Sequence, residues 1–185
     1  ALILHMVYIS MELTTLDNGG CNMFELNYKI VCSDYDDFAG QNGFLKIKFN
    51  NFHYGEIYPE ELSEVMDKVS LYDWIERLIR VLNSLKTHDY VALSDVESYN
   101  KWIEFRRNDK NVLVSIVNAE KKDGAKDIEL DLQNPSAGEW TNQQISYEEF
   151  KNELSTRGRE YIKYITENNP KDVIFEKLQE EYESI

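Results

Sequence analysis

Residues 70–86, SLYDWIERLIRVLNSLK, constrain the fold more than any other stretch. Leu71, Trp74, Ile75, Leu78, Ile79, Leu82 and Leu85 recur at helical spacing and form one wide apolar stripe. A helix carrying that many large apolar side chains must lie across a sheet to bury them. Ser70, with Asp73 three residues on, reads as its N-cap box, Asp standing where Glu is usual. Upstream, Pro59 suits a first helical turn, and Glu60 and Glu61 suit the positive end of a helix dipole. Leu62, Val65, Met66 and Val69 continue at helical spacing. The pattern predicts a short helix over 60–69 and a longer one over 71–86, meeting at a bend.

The sheet that this helix needs is written on both sides of it. VYISMELTT (7–15) and FELNYKIVC (24–32) flank the turn signal LDNGG. In the second, Phe24, Leu26, Tyr28 and Ile30 alternate with Glu25, Asn27 and Lys29, the period of a half-buried antiparallel strand. GFLKIKFNNF (43–52) repeats that alternation, which makes SDYDDFAGQNG a connection between strands. Strands are expected again at 90–94, 100–107, 111–119 and 127–133, with NDKN (108–111) and KKDG (121–124) as hairpin turns. Ser146 and Glu149 form a capping box for a helix over 147–167, interrupted by Gly158 at a cost of about 1 kcal/mol relative to alanine. Asn-Asn-Pro (168–170) stops it, and a terminal helix follows over 171–183. The order strands, helices, strands, helices predicts an α+β domain, with a mostly antiparallel sheet of six to seven strands and helices packed across it.

Length and composition set the outer bounds. The 185 residues fit one domain, expected over 6–185, with enough length for a substantial core. The His5-Met6 pair matches a common cloning junction, so residues 1–5 read as an expression remnant. Thirty-four acidic side chains against twenty basic ones give a formal charge of −14. A chain so charged repels nucleic acid and anionic membranes and attracts basic proteins at long range. The charge is uneven: net −7 over 1–70, −1 over 71–120 and −6 over 121–185. No run of 18 apolar residues exists, so no membrane span is expected. Cys21 and Cys32, eleven positions apart without a CxxC or Cys/His cluster, read as reduced, buried thiols of a cytoplasmic protein.

Motifs for catalysis are scarce. The chain has no GxSxG, GxxxxGK[ST] or GxGxxG. Apart from the remnant, only His53 and His88 are available. His53 and Glu56, in HYGE, are the best seed for a carboxylate-based hydrolase, although no HExxH or HxH spacing supports a metal there. His88 reads as a polar helix-end residue. No cofactor is expected.

SDYDDFAG (33–40) crowds Asp34, Asp36 and Asp37 around Tyr35 and Phe38. As an EF-hand starting at Asp34 it fails, because Phe38, Ala39 and Leu45 occupy the fifth, sixth and twelfth positions. Two readings stay open: a solvated acidic turn, or the rim of an interface with aromatic anchors among charges. ALSDVESYNKW (92–102) has the same flavour, with Asp95 and Glu97 in a connection and Tyr99 and Trp102 behind. Asp34, Tyr35, Asp36, Asp37, Asp95 and Glu97 are therefore the candidate partner-binding residues.

SLYDWIERL, ESYNKWIEF and SYEEFKNEL, together with the small, acidic character of the whole chain, resemble immunity proteins of bacterial polymorphic toxin systems, of the contact-dependent and WapA type. That resemblance implies a cytoplasmic, non-catalytic protein that neutralises a basic partner, above all a nuclease-type toxin whose active site it occludes. The competing readings are a hydrolase centred on His53 and Glu56, and an acidic nucleic-acid mimic or scaffold. The partner's identity and the oligomeric state are not written in the sequence.

Overall fold

The computed structural model describes residues 23–95, 98–122 and 124–185. The strand expected at 7–15, the remnant at 1–5, Cys21 and Glu97 lie outside these. Two antiparallel sheets form the frame. In the first, β1 (Phe24–Ile30), β2 (Asn42–Phe49) and β3 (Phe52–Glu56) pair in that order, and β4 (Val69–Ser70) joins β2 beside β3. In the second, β5 (Tyr90–Ser94), β6 (Lys101–Asn108), β7 (Asn111–Asn118), β8 (Ile128–Glu129), β9 (Ser136–Ala137) and β10 (Gln143–Ser146) assemble in the order β10-β7-β6-β5-β8, with β9 also on β7. Helices α1 (Leu71–Ser84), α2 (Tyr147–Asn168) and α3 (Glu176–Glu183) complete an α+β domain. Among the described residues no helix is long and apolar enough to cross a membrane.

One core joins the sheets and helices. Leu26, Ile47 and Phe49 from the first sheet meet Leu93, Ile103, Phe105 and Val114 from the second, under Leu71, Ile75, Leu78, Ile79 and Leu82 of α1. Aromatic rings bridge the layers. Phe49 and Phe105 lie 6.2 Å apart, and Phe150 of α2 stacks on Phe105 at 5.7 Å and meets Phe24 edge-on at 4.7 Å. A smaller cluster of Ala92, Trp102, Val117 and Ala119 covers the back of the second sheet, where the Trp102 Nε1–H donates to the Ala119 carbonyl at 3.1 Å. Both long helices start where their caps predict. Ser70 Oγ accepts from Asp73 N–H and Ser146 Oγ from Glu149 N–H, each at 3.3 Å.

Several local expectations need correction. The region 60–69 holds one 3₁₀ turn, Glu60–Leu62, and no α-helix. Two of its apolar residues, Leu62 and Val65, are exposed, and only Val69, on β4, packs against the core. Ser70 must be extended to cap α1, and Val69 pairs with Gly43 on β2, so the chain enters α1 as a strand. A ten-residue helix with nothing to pack on is marginal in any case. The strand predicted at 43–52 is a hairpin, turning at Asn50-Asn51, with Asn50 in the left-handed region at φ 57°. Asp109, at φ 54°, turns the NDKN hairpin as expected. KKDG does not make a hairpin. Both edges of β7 are occupied, by β6 on one side and by β9 and β10 on the other, so the chain crosses to pair β8 with β5. Strand 127–133 shrinks to Ile128–Glu129 because β5 offers it only Ala92 and Leu93. The terminal helix begins at Glu176, since 171–175 are used to dock Phe175. Cys32 is exposed, not buried, with Sγ 3.8 Å from the Tyr164 hydroxyl.

Candidate functional site

The acidic loop between β1 and β2 divides into residues that build it and residues that it displays. Asp36 builds. Its Oδ2 accepts the Ser33 N–H at 3.0 Å and its Oδ1 accepts from Asn42 Nδ2 at 2.8 Å, closing the loop on itself. Asp37 is bound to Gln41 twice, by the backbone N–H donating to Oε1 at 2.7 Å and by the carboxylate accepting from Nε2 at 3.3 Å. Phe38 turns inward to meet Tyr72 of α1 and Phe175 edge-on, at 5.5 and 5.2 Å. Asp37 stays exposed despite these bonds, and the side chains of Asp34 and Tyr35 make no such tie to another described residue. Tyr35 is 96% exposed, and Asp34 forms no ion pair with another described residue.

Facing this rim is the segment that sequence periodicity had suggested would be a helix. Lys29 of β1 holds it to the sheet, with Nζ 2.6 Å from Glu60 Oε2 and donating to Ser63 Oγ at 3.2 Å. Between the two walls runs an open groove of about 880 Å³, lined by Val31, Cys32, Asp34, Tyr35 and by Glu60, Glu61, Ser63, Glu64, Val65 and Lys68. Val65 is 73% exposed. Glu61 and Glu64 are exposed and, like Asp34, have no ion-pair partner among the described residues. Glu60 is neutralised by Lys29, and Lys68 lies at the wall, so the free negative charge is that of Asp34, Glu61 and Glu64. The groove thus sets displayed apolar surface beside carboxylates that form no ion pair with another described residue.

The other candidate positions do not join it. Asp95 is 5% exposed, at the end of β5 on the second sheet, and so is not a surface acid. Its N–H donates to the Lys101 carbonyl at 3.1 Å, while Lys121 Nζ donates to the carbonyls of Asp95 and Ser98. Burial there holds the Lys121 pKa below its ordinary value, against the opposing pull of the Asp95 charge. Glu97 lies outside the described residues. Tyr99 stands out from this loop, 93% exposed, while Trp102 is core.

His53 and Glu56 are neighbours on β3, with Nε2 3.5 Å from Oε2, and both side chains are close to half exposed on an edge strand. Burial works to raise the Glu56 pKa. The Lys46 ammonium at 2.8 Å, the Ile57 N–H and His53 outweigh it and hold the carboxyl below its ordinary value. A carboxyl so held is a poor proton donor near neutral pH. His88 closes the end of α1, its Nδ1 3.2 Å from the Ser84 carbonyl oxygen. Among the described residues no three His, Cys, Asp or Glu side chains converge as metal ligands.

Sequence reasoning missed Glu61, Glu64 and Val65. The signal was present in the two glutamates that directly follow Pro59. Comparison of the chain with protein-family models, with curated proteins and with solved structures returned no match.

Proposed function

We propose that the chain is a non-catalytic binding protein that neutralises a basic protein partner, acting as an immunity protein that occludes the active site of a cognate nuclease-type toxin in the cytoplasm. One observation carries the reading: Asp34, Glu61 and Glu64, which form no ion pair with another described residue, share a groove with fully displayed Tyr35 and exposed Val65. A toxin that binds nucleic acid presents cations around its site, and a groove of this kind answers them with charge and with a ring. The carboxylates steer encounter, raising association toward roughly 10⁸–10⁹ M⁻¹s⁻¹ at low salt, and the desolvated ring and valine set the off-rate. The net charge of −14 also disfavours nucleic acid and anionic membrane as ligands.

The test is a pull-down from lysate of the source organism, with the natural chain and the triple variant Asp34→Asn, Glu61→Gln, Glu64→Gln as parallel baits. Capture of a basic protein that elutes at high salt, escapes the variant, and loses nuclease activity when bound supports the proposal. A captured protein that binds both baits equally at all salt concentrations would overturn it. The hydrolase reading has less support, because Glu56 is committed to Lys46 and the pair is open to solvent.

A further inference from the structure

Besides its internal hydrogen bonds and the tie from Asp36 to Asn42 of β2, the loop that carries the displayed rim is fastened from behind by the helices and by the C-terminal segment. Tyr161 of α2 donates its hydroxyl to the Gly40 carbonyl at 2.8 Å. Gly40 has φ +93°, and a Cβ there would fall 3.0 Å from both Tyr164 and Ile165, so the loop backbone lies directly on α2. Asn169, just past α2, brackets Ala39: its Oδ1 accepts the Ala39 N–H at 2.7 Å and its Nδ2 donates to the Ala39 carbonyl at 3.0 Å. Phe175 then closes a three-ring cluster with Phe38 and Tyr72. These contacts leave the loop between Ser33 and Gln41 no separate core of its own.

Residues 169–185 are held in turn by contacts with α1 and α2 that do not involve loop residues. Leu178 is fully buried, and Lys177 Nζ lies 2.8 Å from Oε1 of Glu76, a buried carboxylate of α1 whose other ion-pair partner is Arg80 at 3.5 Å. Asn83 Nδ2 donates to the Glu181 carbonyl at 2.8 Å and Lys86 to the Ser184 carbonyl. The Tyr182 hydroxyl donates to the Ser155 carbonyl at 3.1 Å, and its ring passes over Gly158 of α2 where a Cβ would come within 3.2 Å. The interruption at Gly158 thus has a use: it seats the strap.

We infer that segment 169–185 is a strap whose docking on α1 and α2 builds the Asp34–Tyr35 rim, so that occupancy of the groove and docking of the strap are thermodynamically linked. The inference rests on the groove being the binding face proposed above. Because a ligand stabilises whatever conformation it prefers, a partner that needs this rim tightens the strap, and anything that frees the strap weakens the partner by the same factor.

The test needs no partner. In the full chain, Phe175→Ala removes one ring contact of the loop, that to Phe38, and one to Tyr72 of α1, and Lys177→Gln weakens the strap without removing a ring or hydrogen bond of the loop; native-state amide exchange reads both. Phe175→Ala should speed exchange at Ala39 and Gln41 by about two- to tenfold, as expected for one lost edge-to-face pair on the loop, with Phe105 and Val114 unchanged. Lys177→Gln should speed Gln179 and Ala39 together, and it serves alone if Phe175→Ala does not fold. Faster exchange at Gln179 with Ala39 unmoved would overturn the coupling. So would unchanged exchange at Gln179 in both variants, since the strap would then not be held as described. Coupled exchange combined with a failed pull-down would remove only the functional reading.

Discussion

Asp36→Ala and Asp34→Ala, two residues apart in one acidic loop, should differ sharply in their effect on stability. The Asp36 carboxylate accepts two hydrogen bonds, from Ser33 N–H at 3.0 Å and Asn42 Nδ2 at 2.8 Å, and it is half-buried. A hydrogen bond to a charged group contributes about 1.5–3 kcal/mol net, and partial exposure lets water replace some of it. The pair together is then worth about 2–3 kcal/mol. For a domain of this length that corresponds to a melting temperature lower by about 4–12 °C. Asp34 is exposed with no described partner, so its removal should stay within about 0.5 kcal/mol. Urea unfolding followed by circular dichroism measures both, with an unchanged slope showing that the unfolded state is not what moved. Asp36→Asn, which keeps one acceptor oxygen, should fall between. Equal losses for Asp34→Ala and Asp36→Ala would refute the division into building and displaying residues. A loss below about 0.5 kcal/mol for Asp36→Ala would show that the two bonds only exchange with water.

Other consequences follow from single contacts. Gly43→Ala puts a Cβ 2.1 Å from the Lys29 carbonyl oxygen across the β1–β2 ladder, so the variant should be recovered unfolded or insoluble. Trp102→Phe leaves the Ala119 carbonyl without its buried donor and should cost about 1–3 kcal/mol by urea midpoint; no loss would mean that water reaches that carbonyl. Burial pushes the Tyr28 hydroxyl up to about 12, with the Glu160 charge adding to the effect, and raises Tyr90 and Tyr161 as well, also chiefly by desolvation. The folded protein therefore holds phenolic protons that the unfolded chain releases near pH 10, so these groups' stabilising contribution is complete below about pH 10 and falls as pH rises toward 12. Tyrosinate absorbance should then lag behind pH until the protein unfolds; smooth titration of all tyrosines around pH 10 in the folded state would contradict their burial.

Elements with their own period or cap were legible from sequence. The stripe of α1 and the Ser70 and Ser146 caps need only neighbours along the chain, and both helices start where these residues put them. The alternation in β1 likewise assigns Leu26 to the core and Lys29 to a partly exposed position before any partner strand is known. The hairpin at Asn50-Asn51 had a signal that was outweighed by the alternation leading up to it. The region 60–69 failed for another reason. Its spacing is helical, but whether Leu62 and Val65 find a surface to cover depends on where β2 and Lys29 stand, and they find none.

The candidate site divides along the same line. Charge balance and the crowding of Asp34, Asp36 and Asp37 belong to composition and local order, and they already carry the expectation of a basic partner in preference to a polyanion. Which of those acids is spent and which is offered could not be read from them, since Asp36 is spent on Ser33 and Asn42, Asp95 is enclosed by the fold, and Glu61 and Glu64 are brought opposite Tyr35 only because Lys29 pins their segment to β1. A carboxylate's role depends on which donors reach it, and donors far away in the sequence arrive only through tertiary contacts.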